Sequence, residues 1–137
     1  MKLLITVIFS ISSFGVFTGD WTGEGYFYSN RKEGKCSEVF FQLKESKNRF
    51  EIVTGFYNCS TLSAEYPNSV FERVGDKLFY EGEEVGYLTK SELHLSYYDN
   101  LYQIDLILDG ENLIFKEQWK DATSSLVIKS SLSRLND

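Results

Sequence analysis

Histidine and proline each occur once in the 137 residues, and cysteine and tryptophan each occur twice. With His94 alone, and no thiols beyond Cys36 and Cys59, the four soft ligands of a structural zinc site cannot be assembled. Pro67 falls between two candidate strands, and no linker, repeat or low-complexity tract divides the chain, so one cooperative domain is expected. No helical period survives after Phe17, which removes helices from the expected fold. Basic residues are outnumbered, 14 Lys and Arg against 20 Asp and Glu, and they are scattered singly. Nucleic acid is bound through clustered cations that release counterions, so it is excluded as a partner, and an anionic membrane surface is disfavoured for the same reason. The chain has no Gly-x-Ser-x-Gly element, no phosphate loop and no nucleophile with a plausible histidine partner. No enzymatic activity, cofactor or metal is expected from it.

Long apolar runs are missing too, except at the N-terminus. Lys2 precedes an uncharged stretch from Leu3 to Phe17, which has the length and polarity of a secretory signal and is too short to span a membrane. Ser13 and Gly15 place cleavage after Gly15, giving a signal peptide over 1–15 and a mature domain over 16–137. No cysteine stands directly after the run to take a lipid anchor. The expectation is a soluble, exported, monomeric protein of the periplasm or the extracellular space. In such a compartment an even cysteine count reads as a disulfide, Cys36–Cys59.

What the sequence has in abundance is aromatic residues, 16% of the chain, distributed through β-patterned segments. The stretch from Ser37 to Asn58 reads as two strands around a polar turn at Ser46 to Asn48. Centring that turn between Lys47 and Asn48 sets Leu43 opposite Ile52, Phe41 opposite Thr54, Val39 opposite Phe56 and Cys36 opposite Cys59. The register thus brings the two thiols together independently of the compartment. Further turns are marked by Gly75-Asp76, Lys90-Ser91, Asp99-Asn100 and Asp109-Gly110. Around Asp99-Asn100, Tyr97 meets Tyr102, Leu95 meets Ile104 and Leu93 meets Leu106 on one apolar face, while His94, Ser96, Gln103 and Asp105 face the other way. Leu113, Phe115 and Trp119 continue the apolar face with Glu117 among them, followed by Leu126, Ile128 and Leu132. Closing such a meander removes exposed strand edges, so an all-β, single antiparallel up-and-down barrel of about 8–10 strands is predicted.

Gly19-Asp20-Trp21 opens the first strand and Arg134 stands on the last, on the same face as Leu126, Ile128 and Leu132. In this the chain resembles the lipocalin and fatty-acid-binding (calycin-like) superfamily, where a Gly-x-Trp begins the barrel. The resemblance implies that Arg134 packs over the Trp21 indole to close one end. The order Gly19, Trp21, Cys36, Cys59 also resembles that of small secreted bacterial metalloprotease inhibitors. The chain departs from these in having no tryptophan between Cys59 and Trp119 and no clear polar N-terminal arm.

His94 alternates with Leu93 and Leu95, so it is expected on the outer, solvated face. Glu81, Glu83 and Glu84 read as a solvated turn, since a calcium loop needs more oxygen ligands at regular alternation. Glu117, Tyr97, Tyr102 and Tyr87 are the residues with polar atoms assigned to the interior. In a ligand-binding barrel they orient a polar head while Phe27, Leu95, Ile104, Leu106 and Phe115 contact an apolar body. In a barrel filled by its own side chains, Glu117 pairs instead with Arg134 or a tyrosine hydroxyl. The first arrangement makes the protein a carrier of a small, mostly apolar molecule. The second suits a protein-binding module, such as a secreted protease inhibitor.

Overall fold

Period-two patterning organises the chain into antiparallel strands throughout the structure, a computed structural model that describes residues 15–135. Residues 1–14 of the expected signal peptide lie outside the described residues. The strands are β1 Gly19–Ser29, β2 Lys32–Glu45, β3 Arg49–Cys59, β4 Ser63–Tyr66, β5 Ser69–Val74 and β6 Lys77–Tyr80. They continue as β7 Glu83–Leu88, β8 Glu92–Tyr97, β9 Tyr102–Asp109, β10 Asn112–Lys120 and β11 Ser125–Arg134. Ten of them close a barrel, as expected, with β1 pairing β11 and β2 pairing β3, while β4 attaches to β3 as an eleventh strand outside the ring. All the pairings are antiparallel.

The closed end is built as the resemblance implies. Trp21 is opposite Arg134 in the β1–β11 register, and the guanidinium carbon lies 4.2 Å from the indole centroid. Arg134 also donates to the carbonyls of Thr18 and, at 2.9 Å, Val16. Phe17, the last apolar side chain of the N-terminal run, belongs to the core with no exposed surface. Its carbonyl accepts the Trp21 indole N–H at 3.0 Å, and its own N–H donates to Glu45 Oε1 at 3.1 Å. The other Glu45 oxygen holds Arg73 Nη1 at 2.9 Å.

The β2–β3 hairpin joins Cys36 to Cys59 through a disulfide, and Leu43 faces Ile52, as the turn-centred register predicts. Between those points the register differs by one residue. Phe41 faces Gly55 and Val39 faces Tyr57, because an irregularity beside Leu43 adds a residue to β3 and a second, beside Cys36, adds one to β2. The two shifts cancel, so the ends of the hairpin match while its middle is turned over. Phe50 and Ile52 point inward, and beyond the bulge Gly55 and Tyr57 are the buried residues of β3.

Candidate functional site

Alternation along β10 buries Leu113, Phe115 and Glu117 in turn. Glu117 sits between Ile104 of β9 and Ile128 of β11 in the sheet, 4% exposed, so its carboxyl must find partners inside the barrel. Three tyrosines supply them. Tyr57 of β3 donates to Oε2 at 2.9 Å, Tyr102 of β9 donates to Oε1 at 2.7 Å, and Tyr66 of β4 also donates to Oε1. Burial pushes the Glu117 pKa up to about 7 against the opposing pull of the Tyr57 hydrogen bond. Burial also raises Tyr57, reinforced by the neighbouring carboxylate charge, and lifts Tyr97 and Tyr102 to about 12. These phenols therefore stay protonated, and those at Glu117 remain donors, at any physiological pH.

Two local features bring these groups together. The β3 bulge turns Tyr57 inward, as described above. Pro67 ends β4 because it has no N–H for the ladder, and β5 resumes pairing farther along β3. The short strand this leaves pairs only with β3 among the described residues. Between β4 and the β8–β9 turn the wall holds a cavity of about 430 Å³, with Glu117 in its lining. Tyr98, 72% exposed, stands at its mouth. Larger hollows, of about 890 Å³ beside His94 and about 650 Å³ beside Val74, lie against the outer wall. The Glu117 cavity differs in that its lining takes in a buried carboxyl together with the tyrosines that bond it.

Of the nine residues assigned to a ligand from the sequence, Leu95, Tyr97, Tyr102, Ile104 and Glu117 line this cavity. Phe27, Leu106 and Phe115 are inward and fully buried, but they lie in the filled part of the barrel. Phe115, for instance, packs 4.9 Å from the Phe41 ring. Alternation specifies a face, not a depth, and the large rings occupy the interior away from the cavity. Tyr87 is corrected outright. It lies opposite His94 in the β7–β8 register, stacks on that ring at 5.4 Å and is 40% exposed, so it belongs to the outer wall. His94 itself is outward, as expected, and bonds Asp105 across the sheet at 2.6 Å. Glu117 pairs with tyrosine hydroxyls and not with Arg134, which is committed to the closed end.

No protein-family model and no curated protein matches the chain. Among solved structures, the S-type phycobiliprotein lyase CPES from Guillardia theta is similar over 97% of this chain and 93% of that one, at 7% identity and a TM-score of 0.42.

Tyr57, Tyr66, Ile52 and Phe71 also line the cavity, and sequence reasoning did not assign them to it. A signal for Tyr57 was present, since counting back by two from Cys59 puts it on the disulfide's face. Counting outward from the turn crosses the bulge and selects Phe56 instead. Tyr66 stands on a four-residue strand outside the ring, and nothing local in the sequence aims it at Glu117.

Proposed function

We propose that this protein is an exported, lipocalin-like barrel that binds a small, mostly apolar molecule beside Glu117 without transforming it. The observation that supports the reading is a cavity of about 430 Å³, lined mostly by apolar and aromatic side chains, in which one buried carboxyl is held by tyrosine hydroxyls. That is the composition of small-molecule sites, where a few polar groups orient a ligand held by apolar surface. The Trp21–Arg134 contact favours the lipocalin-like assignment, and the Cys36–Cys59 bridge fits an oxidising compartment, periplasmic or extracellular. Within this reading the protein is monomeric, and its closed wall with packed rings is a rigid holder for the cavity.

Native mass spectrometry of the protein purified from its own host tests both parts. The expected species is a monomer starting at Val16 with an additional small-molecule mass that leaves on denaturation. Phe17 is held by Trp21 and Glu45, so a chain starting beyond Phe17 would contradict the proposed cleavage. A bare chain mass, together with no uptake of neutral apolar fluorophores, would sink the carrier reading.

A further inference from the structure

The cavity is acidic as well as aromatic. Its lining holds two carboxyl groups, Glu117 and the exposed Glu65 of β4, and no lysine, arginine or histidine. A ligand with a carboxylate head would meet a buried carboxyl with no cation to neutralise either, and like charges brought together exclude a partner. The hydrogen bonds to Glu117 are also incomplete. A carboxylate offers about four acceptor positions over its two oxygens. Oε1 accepts from Tyr66 and Tyr102, while Oε2 accepts from Tyr57 alone, so one position on Oε2 has no donor among the described residues. In the same lining, the Tyr97 ring lies 6.0 Å from that of Tyr102 and 6.4 Å from that of Tyr98. Ring faces of this kind attract cations.

Resting on the ligand-site reading above, we propose that the bound molecule carries a protonated amine as its polar head. The ammonium donates to Glu117 Oε2 and is flanked by the tyrosine rings, while the apolar body lies against Ile52, Phe71, Leu95 and Ile104. A charge-assisted bond to a desolvated carboxylate is stronger than a neutral one, so the head selects an amine over an alcohol of the same body. The arrangement also accounts for an ionisable group kept deep in an apolar wall: the incoming cation compensates the carboxylate that burial penalises. The groups facing Glu117 are Tyr57 from β3, Tyr66 from β4 and Tyr102 from β9, with Ile104 and Ile128 beside it in the sheet and Glu65 the remaining charge of the lining. The Tyr57 and Tyr102 phenols stay neutral, so Glu117 is the group that switches the head site near neutrality.

Three probes with one apolar body separate the alternatives: decylamine, 1-decanol and decanoate, each displacing the neutral fluorophore N-phenyl-1-naphthylamine from the full protein. At about pH 8, decylamine is expected to displace it at roughly tenfold lower concentration than decanol, with decanoate weakest, for a difference of one charge-assisted bond. In Glu117→Gln the amine advantage should be lost, decylamine and decanol displacing the fluorophore at similar concentrations. Lowering the wild-type protein to about pH 5, where decylamine remains protonated, should shrink the same advantage without any variant. Decanol or decanoate competing as well as decylamine at pH 8 would overturn the amine head and leave the cavity as a ligand site. An amine advantage that persists both in the variant and at pH 5 would assign it to surface charge, and would also overturn the inference. Failure of the fluorophore to bind, or of all three probes to displace it, would remove both the head group and the ligand site.

Discussion

At Glu117 burial opposes hydrogen bonding, and burial wins. The folded-state pKa of about 7 lies above the ordinary 4.5, so the folded chain holds this proton more tightly than the unfolded one. The corresponding stability is fully present below about pH 4.5 and is lost as pH rises through about 7. At 1.36 kcal/mol per unit the loss is on the order of 3 kcal/mol. Thermal unfolding midpoints of the ligand-free protein should therefore fall across that window, and Glu117→Gln should flatten this component of the profile. Parallel profiles for the two proteins would show that the carboxyl is not desolvated in solution. The three tyrosines explain why the acid is tolerated at all, since a lone buried carboxyl with no donors would cost more than the fold could spare.

Among the elements, the β2–β3 hairpin does most to shape the site, because its two compensating bulges turn Tyr57 inward while leaving both ends in register. The disulfide clamps the open end of that hairpin over a sequence separation of 23 residues. Strand pairing closes the same loop in the folded state, so the bridge acts mainly by restricting the unfolded chain. The double variant Cys36→Ser with Cys59→Ser is expected to fold into the same barrel and to lose roughly 3 kcal/mol in denaturant titration. Two thiols titrating in the oxidised, denatured wild-type protein would show that the bridge does not form. The spur strand β4 contributes differently: a proline stops it early, and the gap beyond it becomes the cavity mouth.

For the whole molecule, closure depends on bringing together β1 and β11, the two ends of the described chain. Arg134 joins them by covering Trp21 and bonding the carbonyls of Val16 and Thr18. Because the guanidinium is exposed, the cation-π part is worth about 0.5–1 kcal/mol. Arg134→Ala should lower stability by about that amount plus the lost hydrogen bonds, and should shift Trp21 emission to the red in a Trp119→Phe background. Unchanged emission would mean that the N-terminal segment, through Phe17, covers the indole without the arginine.

Local chemistry determined much of this protein by itself. Period-two alternation, turn residues at fixed places and a hairpin whose ends pair by symmetry were enough for an all-β barrel, the Cys36–Cys59 bridge and the inward direction of Glu117, Leu95 and Ile104. These depend on which way neighbouring residues point, and that information is local. The cavity was decided by tertiary structure alone. Its position follows from a register slip that turns Tyr57 inward, from a proline-terminated strand that delivers Tyr66 from outside the ring, and from large rings that fill the barrel around Phe27, Leu106 and Phe115. Alternation names the residues that face a barrel's interior; whether that interior is full or hollow at a given depth depends on side-chain volumes meeting across strands far apart in sequence.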